Sequence, residues 1–269
     1  MKALESAVGH EPAFSPKELM ATFISRQLND GDYVTAGAGL FLPRAGVMLA
    51  HFTRCPNLKL ALADYFVNLL GAAVIEEFEF YADHRVAKYA EGFLPLEIRY
   101  DVSRRLDLFF VGGLQVDRFG NTNLIGIGND HDRLKLRGAG SIGTTTVAAM
   151  VKRYFIFTTD HSARVFVEKV DFVSAVGWAR GGADARKKLG LPGGGPELVI
   201  TPKCVMDFEP KSKSLRLKAL TPGVTVEEVV ASTGFDLIVP DTLEELEPPT
   251  ATELAVLRTR IDPKGVLRH

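Results

Sequence analysis

The sequence predicts an α/β fold, an open and largely parallel sheet flanked by helices, with a small antiparallel appendage near residues 197–219. Apolar segments of strand length alternate along the chain with amphipathic segments of helical spacing. Glycine-rich turns follow several of the predicted strands. The chain has 269 residues, of which 46% are apolar and 24% charged, so one large α/β unit can bury its own core.

The first half of the chain begins with a helix signal. Ser15-Pro16-Lys17-Glu18 is a capping box with proline at the first helical position, and apolar residues then recur at helical spacing until Gly31. A strand at 33–36 leads into a glycine turn at 37–39, and a second helix is expected from Pro43 to about Phe52. Further strands are predicted at 58–62, 106–111, 154–158 and 165–173.

The second half predicts the antiparallel appendage. Short strands are expected at 197–201, 204–208 and 214–219, with a hairpin turn at 210–213. Capping boxes at Thr225 and Thr250 each predict a short helix, the first closing near Gly234 and the second ending before Pro263. Because no internal repeat and no long polar linker occurs, residues 1–269 are expected to form a single domain.

Charge and hydropathy exclude several classes of protein. The 32 basic and 33 acidic residues give a net charge of −1, which excludes an electrostatic binder of nucleic acid or anionic lipid. The longest stretch without a charged residue, 138–151, is too short and too polar to span a bilayer. Glu5 and His10 lie where a signal peptide would need an apolar core, so a cytoplasmic location is expected.

Metal and nicotinamide sites are not expected. Cys55 and Cys204 are far apart and form no Cys-x-x-Cys motif, and the six histidines show no ligand spacing. Leu42 occupies the position of the third glycine that a dinucleotide fingerprint would need after Gly37 and Gly39. A Walker phosphate loop and a Gly-x-Ser-x-Gly elbow are also missing.

Glycines are concentrated in two blocks, 112–123 and 137–143. In an open α/β sheet, turns at the carboxyl ends of strands border the ligand crevice, and their N–H groups can hold an anion or a carbonyl oxygen. The alternative interpretation is that tight turns between strands collect glycine and asparagine for geometric reasons alone.

The first block, with Gly112-Gly113-Leu114-Gln115-Val116-Asp117 and Gly120-Asn121-Thr122-Asn123, resembles a motif of the class I CoA-transferases, especially the β subunits of the glutaconate type. The likeness continues through 137–140, 166–174, 177–178, 189–192, 233–237 and 261–263. The resemblance implies an open α/β fold and an acyl-CoA thioester as substrate. It also implies an α-type partner subunit in a heterotetramer or larger assembly, no metal, and no cofactor other than the coenzyme A of the substrate.

The resemblance also assigns candidate site residues. Transferases of this family attack the thioester with a glutamate, and at that position this chain has Ala63, which cannot act as a nucleophile. Asp64 is the neighbouring carboxylate, although an extended chain would point it to the opposite face. The candidate catalytic residues are Asp64 and Ser141. The candidate substrate- or CoA-binding residues are Gly113, Gln115, Asn121, Asn123, Gly138 and Gly140. For Gln115 and the two asparagines, hydrogen bonds that brace the loops are the alternative.

Three functions remain open at this point. The first is a β-type subunit of an enzyme that cleaves an acyl-CoA by hydrolysis or decarboxylation, as relatives without the glutamate do when they open a steroid ring or decarboxylate methylglutaconyl-CoA. Such cleavage needs an electron sink, which N–H donors around Gly140 and Ser141 can supply. The second is CoA transfer between carboxylic acids, with Asp64 or another, unrecognised carboxylate as nucleophile. The third is a non-catalytic scaffold for a catalytic α partner.

Overall fold

The structure is a computed structural model that describes residues 14–36, 40–62, 66–69, 90–93, 103–141 and 143–269. Its strands are β1 (Tyr33–Ala36), β2 (Lys59–Leu62), β3 (Phe66–Leu69), β4 (Ala90–Phe93), β5 (Leu108–Val111), β6 (Gln115–Val116), β7 (Thr122–Asn123), β8 (Gly126–Ile127), β9 (Leu136–Arg137), β10 (Arg153–Phe157), β11 (Pro196–Ile200), β12 (Cys204–Phe208), β13 (Leu215–Leu220) and β14 (Glu244–Glu245). Ten of them form one sheet in the order β14-β13-β12-β11-β10-β5-β1-β2-β3-β4. The pairs β6–β7 and β8–β9 form two small antiparallel sheets.

The centre of the large sheet is parallel, as the sequence predicts. Strands β2, β1, β5, β10 and β11 run in one direction, so their carboxyl ends meet at one edge. Antiparallel strands extend the sheet on both sides, β3 and β4 beyond β2 and β12 and β13 beyond β11. The predicted α/β fold class is therefore confirmed.

Helices cover both faces of the sheet. They are α1 (Pro16–Arg26), α2 (Phe41–Thr53), α3 (Thr144–Met150), α4 (Ala185–Lys188), α5 (Val226–Ala231) and α6 (Ala251–Val256). A π-helical turn, Leu257–Ile261, follows α6, and the 3₁₀ turns are Ser103–Arg105 and Val266–Arg268. All three predicted capping boxes are present, since Ser15, Thr225 and Thr250 each accept a bond from the backbone three residues later.

The core has two parts, one on each face of the sheet. In β5, Leu108 and Phe110 are buried in the cluster with α1 and α2, and Phe109 and Val111 are buried in the opposite cluster with α3. Because both faces of this strand are covered, its sequence is continuously apolar rather than alternating.

One predicted strand, 165–173, is wrong. The structure shows a single bridge between Phe166 and Val116 and otherwise turns and bends. Phe166 and Val170 are buried, while Val173 is 51% exposed, so the apolar residues of this segment follow no strict alternation. The segment lies across the turns after β5 instead of joining the sheet.

Two predicted helix boundaries also need correction. Helix α1 ends at Arg26, and Gly31, with φ of 88°, forms a separate turn before β1. Helix α2 begins at Phe41, two residues before Pro43. The antiparallel strands predicted near 197–219 are present, and they extend the main sheet through β11, which pairs in parallel with β10.

No helix within the described ranges is long and apolar enough to cross a membrane.

Candidate functional site

The carboxyl edge of the parallel strands is where a ligand crevice forms in open α/β sheets. Gly112 and Gly113 follow β5 directly, and Thr158 and Thr201 follow β10 and β11. The Thr158 hydroxyl is buried and has no hydrogen-bond partner within the described residues. Residues 63–65, which follow β2, lie outside the described residues, so the positions of Ala63 and Asp64 are not described.

The first glycine block folds into a hairpin held by its own side chains. Asp117 accepts hydrogen bonds from the backbone N–H groups of Phe119 (2.9 Å) and Asn121 (3.0 Å). The Asn121 amide donates to Asp117 at 2.8 Å and to the carbonyl of Ala179 at 2.8 Å. Burial raises the pKa of Asp117, while these hydrogen bonds to its carboxylate oppose that shift.

Gln115 and Asn123 brace the next turn from inside. Gln115 Oε1 accepts from Asn123 Nδ2 at 2.8 Å and from the backbone N–H of Asp171 at 2.9 Å. Asn123 Nδ2 also donates to the Gly126 carbonyl (2.7 Å), and its Oδ1 accepts from the Ile125 N–H (2.9 Å). Both residues are buried. These are loop-bracing contacts, and a contact of either side chain with substrate stays a prediction. We call Gln115, Asp117, Asn121 and Asn123 the glycine-turn network.

The second glycine block runs beside the first. Gly138 and Gly140 donate their N–H groups to the carbonyls of Ile125 (2.8 Å) and Leu124 (2.9 Å). A Cβ at Gly138 would lie 2.1 Å from the Leu124 carbonyl oxygen, so only glycine permits this approach. At Gly113 a Cβ would lie 3.0 Å from the Gln115 carbonyl oxygen, a milder restriction.

Two amides of the second block remain available. Within the described part of the chain, the N–H groups of Ala139 and Ser141 have no hydrogen-bond acceptor. Ala139 is exposed and Ser141 is half-buried, and the Ser141 carbonyl accepts the Thr144 N–H at the start of α3 (3.0 Å). The sequence indicates the amides around Gly140 and Ser141, but only the structure shows that the glycine amides are occupied and that the Ala139 N–H has no acceptor among the described residues.

A second buried polar group lies after β10 and β11, and no sequence pattern predicted it. His161 Nδ1 lies 2.9 Å from Thr201 Oγ1, His161 Nε2 lies 3.2 Å from Thr233 Oγ1, and Cys204 Sγ lies 3.7 Å from His161 Nδ1. We call these four residues the His161 cluster. Burial lowers the pKa of His161 to about 4 and raises the pKa of Cys204 to about 12. Both side chains are therefore neutral near pH 7, unlike an activated thiolate–imidazolium pair.

Over the ranges that the structure describes, no group of three or more His, Cys, Asp or Glu side chains could hold a metal ion. Asp130, His131 and Asp132 lie at the exposed tip of the β8–β9 hairpin, where Asp130 accepts the backbone N–H of Asp132 at 2.9 Å. These carboxylates stabilise a solvated turn.

The fold and the glycine turns define a class: an open α/β protein whose carboxyl edge carries amides able to bind a carbonyl oxygen or an anion. The sequence model of the coenzyme A transferase family matches residues 86–232. The chain is 36% identical over 249 residues to the B subunit of the 3-oxoadipate CoA-transferase of Pseudomonas knackmussii, covering 91% of this chain and 93% of that one. The protein therefore belongs to the coenzyme A transferase family, and it is an enzyme of that family.

Other relatives agree with this assignment. The B subunit of the glutaconate CoA-transferase of Acidaminococcus fermentans is 32% identical over 258 residues, with 93% of each chain covered. The crystal structure of the Acidaminococcus fermentans enzyme superposes with a TM-score of 0.86 over 96% of this chain and 98% of that one, at 30% identity. The cholesterol ring-cleaving hydrolase IpdB subunit of Mycobacterium tuberculosis is 34% identical over 160 residues, which are 58% of this chain and 60% of that one. The decarboxylase AibA/AibB shares the fold, with a TM-score of 0.80 and 22% identity over 95% of this chain and 98% of that one.

Proposed function

We propose that this chain is the β-type subunit of a heteromeric enzyme that acts on an acyl-CoA thioester and cleaves a carbon–carbon bond, by hydrolysis or decarboxylation. The relatives named as B subunits of CoA-transferases and as the ring-cleaving hydrolase subunit support an α-type partner and a CoA thioester substrate. The observation that carries the proposal is the pair of amides at Ala139 and Ser141, which have no hydrogen-bond acceptor among the described residues. The proposal takes Ala63 as the residue at the position of the family's nucleophile, and this alignment stays a prediction.

The two amides supply an electron sink for the reaction. When a bond next to a thioester carbonyl breaks, negative charge develops on the carbonyl oxygen as an enolate. Preorganised N–H donors stabilise that charge without reorganisation. The hydrogen bonds from Gly138 to Ile125 and from Gly140 to Leu124 hold the donors in place. The proposal assigns the base or the activated water to the partner subunit.

Cleavage and transfer make different demands on the nucleophile position, which the proposal gives to Ala63. A methyl group forms no acyl anhydride and accepts no coenzyme A, so this chain would carry no covalent glutamyl-CoA intermediate. The competing function is CoA transfer between two carboxylic acids. It is favoured by the names of the two relatives that match nearly the whole chain, both CoA-transferases, and it would need Asp64 or another carboxylate as nucleophile.

Chemical trapping of a covalent intermediate distinguishes carbon–carbon cleavage from CoA transfer. The complex of this chain and its α-type partner is incubated with acyl-CoA and then with borohydride or hydroxylamine. We expect no mass shift on this chain, product formed by carbon–carbon cleavage, and no exchange of labelled coenzyme A between acids. An adduct on Asp64, together with exchange, would replace cleavage by transfer. Unchanged turnover in Asp64→Ala, Gln115→Ala and Ser141→Ala, and also in Ala139→Pro, which removes an N–H donor, would favour the scaffold function instead.

The donors have their own test. Ala139→Pro removes one N–H, and we expect kcat to fall about 100-fold because an oxyanion donor is typically worth that much. The matched control is Ala139→Ser, which keeps the amide at an exposed position and should keep kcat within about twofold of the native value. Equal activity of the two variants, at equal thermal stability, would exclude Ala139 as a donor.

A further inference from the structure

Three basic side chains lie on the returning half of the β8–β9 hairpin, without a partner among the described residues. Arg133, Lys135 and Arg137 are all exposed, and within the described ranges none of them has an ion pair or a side-chain hydrogen bond. Other arginines of the chain have carboxylate partners: Arg118 lies 2.6 Å from Glu168, and Arg216 lies 2.8 Å from Asp207. The hairpin cations are therefore available to an external anion.

The hairpin that carries these cations is firmly held. Asp171 Oδ2 accepts the Gly128 N–H at 2.8 Å, and the rings of His131 and Phe172 meet edge to face at 5.7 Å. At the other end, Ser174 Oγ accepts the Leu124 N–H at 2.8 Å. A charged surface on a braced hairpin loses little freedom when it binds a ligand, which favours binding.

The cations lie on the segment that leads into the proposed thioester site. Arg137 directly precedes Gly138, and the amides of Ala139 and Ser141 follow. From Arg133 to Gly140 there are seven residue steps, which at roughly 3.3 Å per residue is at most about 23 Å. The pantetheine arm of coenzyme A separates the thioester from the phosphates by a length of the same order. A thioester bound at Ala139 and Ser141 can therefore place its phosphates beside the cations.

We propose that Arg133, Lys135 and Arg137 bind the phosphates of coenzyme A, with the pantetheine arm lying along the segment between them and the Ala139 and Ser141 amides. This inference rests on the proposed function, and it adds where the nucleotide end of the substrate lies. Guanidinium groups bind phosphate oxygens through paired N–H donors, and Lys135 adds a point charge. Asp130 and Asp132, at the tip of the hairpin, form no ion pair with these cations within the described residues.

Truncated substrates test the proposal with the complex of this chain and its α-type partner. Two thioesters of the same acid are compared, one of coenzyme A and one of pantetheine, which lacks the nucleotide. We expect Lys135→Glu to raise KM for the acyl-CoA roughly tenfold, because a charge-assisted contact is lost and a like charge added. KM for the acyl-pantetheine should not change. Lys218→Glu, a reversal at an exposed lysine of β13, is the matched control and should change neither KM.

A binding measurement keeps this inference separate from the proposed function. Adenosine 3′,5′-bisphosphate is titrated calorimetrically into the native complex and into the two variants. We expect weaker binding by roughly tenfold in Lys135→Glu alone, with a salt dependence that decreases in that variant. This result supports the subsite even if no acyl-CoA is turned over, in which case the proposed function fails by itself.

Three results would overturn the subsite. The first is an equal rise in KM for both thioesters, which would place Lys135 near the acyl group. The second is loss of the complex on gel filtration of Lys135→Glu, which would make this hairpin an interface between subunits. The third is unchanged affinity for the bisphosphate, with both KM values also unchanged.

Discussion

The glycine-turn network and the His161 cluster are both buried polar networks beside the carboxyl edge of the sheet, and they use their hydrogen bonds differently. In the first, Gln115, Asn121 and Asn123 bond mainly to backbone groups and thereby fix turns whose outer amides stay free. In the second, both ring nitrogens of His161 lie against the hydroxyls of Thr201 and Thr233, which also donate to the carbonyls of Cys204 and Val229, and the group is buried. Buried polar groups need partners in either case, but of the two networks only the first borders amides that have no acceptor among the described residues.

The greatest loss of stability is expected from a change beside the glycine-turn network. Gly138→Ala places a Cβ against the Leu124 carbonyl oxygen, so the backbone at Leu124 must move away, and we expect a loss of about 3 kcal/mol or more in the free energy of unfolding. Gly140→Ala is the matched control. Its φ is +85° but the space beside it is open, so we expect a loss of only about 1 kcal/mol. Urea unfolding of the two variants measures both values, and equal losses would mean that close approach does not fix the turn.

The His161 cluster should differ from the glycine-turn network in its response to pH. The pKa of His161 is about 4 in the folded protein, against an ordinary value of 6.5, so the unfolded chain binds the extra proton between these pH values. The contribution of the neutral His161 ring to the free energy of unfolding is fully present above pH 6.5. It is lost as the pH falls towards 4. The total is about 3 kcal/mol, at about 1.4 kcal/mol per pKa unit.

The variant His161→Phe isolates the loss of stability that protonation of His161 causes. Phenylalanine can keep the packing on Phe166, and the hydroxyls of Thr201 and Thr233 still donate to the carbonyls of Cys204 and Val229. We expect the difference in unfolding free energy between native protein and variant to shrink from pH 7.5 to pH 4.5. If the two proteins lose stability in parallel over that range, other groups cause the acid sensitivity.

The smallest effect on stability and turnover is expected from a substitution at Cys204. Burial raises the pKa of its thiol, so we expect no alkylation by iodoacetamide in the native protein at pH 8, and Cys55, which is also buried, should be equally inert. Cys204→Ala should cost about 1 kcal/mol and leave turnover of the complex unchanged. Rapid labelling of Cys204 alone, or loss of turnover in the variant, would give the His161 cluster a chemical role and remove the contrast with the glycine turns.

Local signals in the sequence predicted most of the fold. The capping boxes at Ser15, Thr225 and Thr250 and the strand at 33–36 follow from residues within one or two turns, and all are present. The segment 165–173 was misassigned because its apolar residues pack against the turns after β5, a contact between distant parts of the chain. For the same reason, sequence patterns alone could not show that the strands after residue 204 continue the main sheet.

For the candidate site, too, the sequence predicted one part and the folded structure was needed for the other. Residue identities alone were enough to recognise the family and the two glycine blocks. The folded chain was needed to show which amides are free, since the N–H groups of Gly138 and Gly140 are taken by carbonyls of Ile125 and Leu124 in the adjacent segment. Folding likewise brought His161 together with Thr201 and Thr233. Hydrogen bonds between segments far apart in sequence depend on how the sheet and its turns pack, and no local pattern encodes them.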